Sequence, residues 1–332
     1  MGRVLVTGGA GYVGSHVVRC LIEAAREVVV LDDLSSGHRS AVPGAALVEG
    51  DYGDVAALDR VFATGKVAAV VHLAGSCSVG ESMADPGLYY RNNVVKTVAL
   101  LDAVRRHGAG VFVFASSASV YGEPTEVPLR EENATIPASP YGETKLAVER
   151  LLAWHHRAHG LKYAALRYFN AGGAHPSGTL GEDHGARESH LLPRLLLGVL
   201  NGGPPTPIHG EDYPTSDGSC VRDYVHVMDL AQGHKAALHA LERGALEAGT
   251  FNLGNGEGYS VKEVVAVVAR VTGKAPPTER APRRAGDPAI LVASTERARR
   301  RLGWEPAHRT LEEIVATAWR WHREHPQGYG DR

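Results

Sequence analysis

The chain has 332 residues, 44% of them hydrophobic, which is enough for one large α/β core and a smaller lobe. Its 35 basic and 37 acidic residues give a formal net charge of −2, and the one charge run, ERARRR at 296–301, reads as a helix face, so nucleic acid is not an expected partner. Cys20, Cys77 and Cys220 are too few and too scattered for a disulfide framework or a zinc set; no metal, signal peptide or membrane span is expected, and a reducing cytoplasm fits.

Residues 3–7, RVLVT, are short, apolar and β-branched, as in a buried parallel strand. GGAGYVGSH follows and opens a helical pattern through Val17, Val18, Leu21 and Ile22. Strand, glycine-rich turn and helix are the context of a dinucleotide fingerprint. Gly8 permits the tight turn, Gly11 lets backbone approach a pyrophosphate, and Gly14 lets helix and strand pack closely. The helix N-terminus then faces the phosphate charge.

The second strand, EVVVLDDL, ends in Asp32 and Asp33. An acid at that tip binds both ribose hydroxyls and repels a 2′-phosphate, which favours NAD over NADP. A turn cap is the plainer role, and it suits Asp33 better than Asp32. ALVEGDYGD gives a third strand with Asp51 beyond it, where an adenine amino group could be met. KVAAVVHLAGS is a fourth strand closed by Ala74 and Gly75, small enough for close approach to a cofactor. DPGLYYRNNVVKTVALLDAVRRHG reads as one long amphipathic helix carrying Asn92, and GVFVFASSASVYG as a fifth strand ending in Ser116 and Ser117.

SPYGETKLAVER, 139–150, places Tyr141 and Lys145 four apart at a helix start marked by Ser139 and Pro140. At that spacing phenol and ammonium share a face. A free tyrosine has a pKa of roughly 10, so a phenolate at neutral pH costs on the order of 4 kcal/mol. A fixed cation nearby lowers that cost and makes the phenol a candidate general base. LKYAALRYFN is a sixth strand leading to Asn170. Strands alternating with helices imply a doubly wound parallel sheet with ligands beyond the carboxyl ends of its strands. Gly8–Gly14, Asp32, Asp51, Gly75, Ser117 and Asn170 all map to such ends.

TGGAGYVGSH, DDLSSGHRS, HLAG, SSASVYG, SPYGETK and RYFN together resemble the extended short-chain dehydrogenase/reductase superfamily. The second half, with RYFNAGGAHPSGTLGEDH, IHGEDYPTSDGSCVRDYVHVMDLA, FNLGNGEGYSV, APRRAGDPA and HPQGY, resembles the UDP-glucose 4-epimerase family within it. The resemblance runs from about residue 3 to 330. It implies a Rossmann-type NAD-binding domain over 1–170. The remainder, 171–332, would be mainly a smaller α/β lobe for the sugar nucleotide, with some segments returning to the first domain.

The resemblance also implies reversible conversion of UDP-galactose and UDP-glucose through a 4-keto sugar, as in galactose metabolism, with NAD kept bound through turnover. Tyr141 would take the proton of the 4-hydroxyl, Lys145 would lower the Tyr141 pKa and bind the nicotinamide ribose, and Ser117 would hydrogen-bond the 4-oxygen. Around the cofactor it adds Tyr12, Val13, Ser36, Tyr52 and Leu73 on the adenosine and pyrophosphate side, with Asn92, Ser116 and Tyr168. For the substrate it implies Arg222 and Arg284 at the diphosphate, Asn170 at phosphate or sugar oxygens and Asp287 at the uridine ribose. His190, Leu191, Pro207 and His209 would form the uridine pocket. Arg222 next to Asp223 could instead be a simple ion pair.

The alternative is another UDP-sugar 4-epimerase, such as one acting on UDP-glucuronate. A dehydratase would need an acid and a base after the fifth strand, where Ala118 and Ser119 stand. Cys77 stands where some members carry a lysine, and His190 where others carry an asparagine. Leu291 stands where some members carry a tyrosine, which leaves room for N-acetylated sugars. A homodimer through the helices near 92–107 and 141–159 is implied. Ser260 and Thr310, each with a glutamate three residues on, read as capping boxes, and Trp304, Trp319 and Trp321 as core.

Overall fold

The computed structural model describes residues 2–331 except 186, 187 and 285. β1 (Arg3–Thr7), α1 (Tyr12–Glu23), β2 (Val28–Asp32), β3 (Ala46–Glu49), α2 (Val55–Ala63) and β4 (Val67–His72) come first. Next are α3 (Val79–Ala84), α4 (Pro86–Tyr89), a π-helical turn (Tyr90–Val95), α5 (Lys96–His107), β5 (Val111–Ser117), α6 (Pro140–His159) and β6 (Lys162–Tyr168). Then follow β7 (Asn170–Gly172), α7 (Leu191–Asn201), β8 (Thr206–His209), β9 (Val221–Arg222), β10 (Tyr224–His226), α8 (Val227–Glu242) and β11 (Ala248–Leu253). The last elements are β12 (Tyr259–Ser260), α9 (Val261–Thr272), β13 (Thr278–Ala281), β14 (Ile290–Leu291), α10 (Glu296–Leu302) and α11 (Leu311–Glu324).

Seven parallel strands form the main sheet in the order β11-β6-β5-β4-β1-β2-β3. The apolar runs of the inner strands are buried on both faces, as the absence of alternation in the sequence demands, while the edge strand β3 is partly exposed. Val4, Val6, Val30 and Val71 pack with residues of α1 and α8 on one face. Leu5, Val29, Leu31, Val70 and Phe112 pack with residues of α2, α5 and α6 on the other. Each large aliphatic side chain so buried contributes roughly 1.5–3 kcal/mol. The strand order reverses between β1 and β4, and the crevice for a ligand opens beyond that point.

A separate cluster joins α7, α9 and α11 through Leu195, Val268 and Ile314. Ser260 and Thr310 close capping boxes with Glu263 and Glu313, as expected. Trp304 and Trp321 are buried and Trp319 is partly so. ERARRR lies on α10. No helix among the described residues is long and apolar enough to cross a membrane.

The long helix read over 85–108 is interrupted. The π-helical turn at Tyr90–Val95 adds a residue to the ring of each hydrogen bond and loosens the ladder there. Side chains take up the slack: Thr97 Oγ1 donates to the Asn93 carbonyl at 2.6 Å, and the Tyr52 hydroxyl donates to the Asn92 carbonyl. Both asparagines grip the β4–α3 loop. Asn93 Oδ1 accepts Ser76 N at 2.8 Å, and Asn92 Nδ2 donates to Ser76 Oγ at 2.9 Å.

Candidate active site

A cleft of about 750 Å³ runs along the carboxyl ends of β1, β2, β4, β5 and β6. One end is made of backbone. Gly8 has φ +69°, and a Cβ there would stand 2.5 Å from Ala74 N. A Cβ on Gly14 would stand 2.0 Å from the Gly8 carbonyl oxygen. Both positions are therefore closed to any side chain by protein packing. Gly11 differs: its nearest neighbour would be 3.5 Å away, and it faces the cleft. Its lack of a side chain leaves room for a ligand. Gly11 caps α1 without any side-chain hydrogen bond, so the first amides of the helix are open to an anion.

Asp32 closes this end. Its carboxylate accepts Ala10 N at 2.9 Å and Leu34 N at 2.9 Å, so it also ties the glycine loop to the turn after β2. The turn-cap role thus belongs to both acids, because Asp33 accepts Ser35 N at 2.9 Å. Burial raises the Asp32 pKa, while those two backbone hydrogen bonds pull it down. Asp32, Asp33 and Ser36 line the cleft, as do Tyr12, Val13, Tyr52, Leu73, Ala74, Gly75, Asn92 and Tyr168. Asp51 does not: Gly50 and Tyr52 line the wall on either side of it, and its carboxylate is held by Lys96 Nζ at 2.5 Å and Gly53 N at 2.7 Å. Backbone loop, open helix terminus and ribose-ready acid fit a dinucleotide such as NAD.

At the middle of the cleft stand Ser116, Ser117, Tyr141 and Lys145. Ser139 accepts Gly142 N at 3.2 Å and Pro140 takes the first helical position, so the α6 start is fixed as the sequence indicated. Lys145 Nζ donates to the Ala115 carbonyl at 2.9 Å and lies 5.8 Å from the Tyr141 ring centroid. Ser117 hydrogen-bonds the phenol and pulls its pKa down. Burial dominates, however, and pushes the Tyr141 phenol well above its ordinary value; the Cys77 thiol adds to this. Burial also pulls Lys145 down to about 8. Desolvation thus sets the direction of the phenol's shift here, whereas the expected lowering rests on Lys145 together with the oxidised nicotinamide.

The far end is less uniform. Asn170, His190 and Leu191 line the cleft. Arg222 does not pair with its neighbour Asp223; it pairs with Asp287, across from β9 to the segment before β14. Asp223 instead accepts Asn255 N at 2.6 Å, Gly256 N at 2.9 Å and Ala293 N at 3.0 Å. Neither Arg222 nor Asp287 lines the cleft; Tyr224, whose buried phenol feels both charges, does. Arg284 is exposed, and Arg283 beside it pairs with Asp212 at 2.7 Å. Pro207 and His209 lie on β8, off the cleft wall, with His209 Nδ1 3.0 Å from the Pro282 carbonyl. Leu291 packs with Ala118, Tyr121 and Phe169 rather than on the wall.

A sequence-family model described as "NAD dependent epimerase/dehydratase family" matches residues 4–254. A UDP-glucose 4-epimerase of Halalkalibacterium halodurans is 50% identical over 326 residues, covering 98% of this chain and 97% of that one. The chain belongs to the UDP-glucose 4-epimerases of this family. A solved UDP-glucose 4-epimerase from Bifidobacterium longum, in complex with NAD+ and UDP, is 36% identical with a TM-score of 0.94, covering 98% of this chain and 100% of that one. The Brucella ovis enzyme in complex with NAD is 44% identical with a TM-score of 0.92, covering 96% and 98%.

This epimerase-family chain also holds features that the sequence reading passed over. Beneath Ser116, Glu149 of α6 accepts Ser116 Oγ at 2.5 Å and both sides of the Arg167 guanidinium, at 2.9 and 2.6 Å. Arg167 continues to the Tyr121 hydroxyl at 2.9 Å. The trace in the sequence was Arg167, a charge inside the apolar run YAALRY of β6; Glu149 was masked by the other charges of α6. Beside the cleft, His190 hydrogen-bonds Cys77 and lowers that thiol's pKa. Glu182 and His190 hold each other charged: the glutamate is pulled down to about 2 and the histidine pushed up, against burial. The Glu-x-His-x3-Glu-x-His spacing over 182–190 was the sequence trace of that cluster.

Proposed function

We propose that this chain interconverts UDP-galactose and UDP-glucose at sugar C4, with NAD bound through turnover. The carrying observation is that Tyr141, Lys145 and Ser117 meet in the one cleft whose other end is the Gly8–Gly14 loop and Asp32. When bound, NAD would supply the hydride acceptor for C4 and the donor for its return, so no outside reductant would be needed. The chain's own work is the proton. Tyr141 takes the 4-hydroxyl proton as the 4-keto sugar forms and returns it to the same oxygen when the other face is reduced. Ser117 holds that oxygen. Lys145 and the positive charge of the oxidised nicotinamide together would offset the burial that otherwise keeps the phenol protonated.

On this reading Arg222, Arg284 and Asn170 hold the diphosphate, Asp287 the uridine ribose, and His190, Leu191, Pro207 and His209 the uracil side. Residues 171–332 would be mainly the sugar-nucleotide lobe, with segments such as α8, β11 and α10 returning to the first domain. The Arg222–Asp287 pair then opens on binding, with a guanidinium fork suited to phosphate. Leucine at 291 lies off the cleft wall and so lends no support of its own to acceptance of N-acetylated UDP-sugars. A homodimer is supported by Val95, Val98 and Trp154, which are 62%, 41% and 63% exposed on the helices at 90–107 and 140–159. Three unpaired cysteines favour a cytoplasmic setting.

The test is to incubate the purified protein with UDP-galactose without added NAD. Appearance of UDP-glucose supports the reading. A product lighter by one water would make the chain a dehydratase, and NAD-loaded protein that leaves the substrate unchanged would overturn catalysis.

A further inference from the structure

Glu182, His184, Glu188 and His190 crowd one point between β7 and α7. A ligand-capable atom from each lies within 4.8 Å of the others. His184 Nε2 is 3.2 Å from Glu182 Oε1, and His190 Nδ1 contacts the same oxygen. Glu188 Oε1 is 3.9 Å from His190 Nδ1, and the two imidazoles stand edge to face with centroids 5.2 Å apart. The Glu182 and Glu188 side chains are only 6% and 8% exposed. Two nearly buried carboxylates side by side are costly unless positive charge stands between them. Two imidazoles supply it only when protonated, whereas a divalent cation supplies it outright.

We propose that these four residues form a binding site for a divalent ion of the Zn2+ class. Two imidazole nitrogens and two carboxylate oxygens are donors that such an ion accepts, and harder ions of the Mg2+ class prefer oxygen alone. A tetrahedral ion with bonds of about 2.0–2.2 Å sets its ligands ~3.4 Å apart, so the cluster closes on it by small side-chain movements. The ion would clasp Glu182 and His184 to Glu188 and His190 at the start of α7. His184 and His190 line the cleft with Cys77, so the clasp would form part of its wall. His190 would then meet the uracil side with its ring held in place by the ion. The site stands whether or not the chain is a 4-epimerase.

The test uses the full chain, stripped with a chelator and titrated with Co2+ and then Zn2+. The expected result is one equivalent per chain, the intense visible absorption of tetrahedral Co2+, its displacement by Zn2+, and a raised Tm. His184→Gln combined with His190→Gln should weaken binding at least tenfold while circular dichroism reports an intact fold. If that variant does not fold, Glu188→Gln is titrated under the same criterion. Absence of saturable one-equivalent binding, unchanged affinity in the folded variant, or saturation by Mg2+ without tetrahedral Co2+ absorption would each overturn the site.

Discussion

The two ends of the cleft are built differently. The dinucleotide end is contiguous: residues 7–14 and the tip of β2 supply a loop, a helix terminus and an acid, each set by backbone geometry. The other end, proposed for the sugar nucleotide, is lined by β7 and the start of α7, with Arg222 of β9 and Asp287 paired off its wall, all far apart in the chain. Its charges are held by partners rather than by backbone: Arg222 by Asp287, and His190 by Glu182. Between the ends, Tyr141 and Lys145 sit on the first turns of α6, and their ionisation is dominated by burial. The comparison teaches that the first end is prebuilt, while the rest depends on charges that a ligand must rearrange.

Tyr141→Phe gives the largest expected effect. Turnover of UDP-galactose should fall roughly a thousandfold, within the range for a lost general acid–base group. Bound NAD should remain, because the dinucleotide end does not use the phenol. A variant that keeps most of its rate would remove the phenol from the proton path.

Glu149→Gln comes next. It leaves the buried Arg167 guanidinium without its counter-charge, which should cost about 3–5 kcal/mol of stability. Denaturant unfolding measures this; a loss below about 1 kcal/mol, the size of an exposed pair, would contradict the account.

These residues also show what could be read from the chain alone. β1 was read at its bounds because a β-branched run followed by glycine can hardly be anything else. The pairing of Tyr141 with Lys145 followed from helical spacing and a clear cap. The π-helical turn was not legible, because its cause lies in Tyr52, Ser76 and Thr97, far from it or on its far side. Nor was the Arg222 partner: sequence adjacency suggested Asp223, but that carboxylate is taken by three backbone amides from other segments. The upward push of burial on the Tyr141 phenol was not legible either, since desolvation is a property of the assembled cleft.

A smaller effect concerns pH. Burial lowers Lys145 to about 8, so its ammonium is lost as pH rises through that value. The rate should therefore fall on the alkaline side, and in Lys145→Met the fall should vanish into a low, flat profile. An unchanged alkaline limb in that variant would assign the limb to another group.

The smallest expected effect on chemistry lies outside the cleft. Val98→Asp with Trp154→Glu should shift a dimer to monomers in sedimentation, with turnover per chain changed by less than about tenfold. These side chains face away from the site and are exposed in a single chain. A wild-type monomer at high concentration would remove that contact from the account.

The central claim is that the phenol of Tyr141 becomes a base only when the cofactor's positive charge joins that of Lys145. Ultraviolet difference titration of the protein against Tyr141→Phe, with NAD bound and with NAD stripped, reads that ionisation directly. The account predicts a pKa above the ordinary value of about 10 in the stripped protein and clearly below it with NAD bound. A phenol that stays above that value in both forms would contradict it.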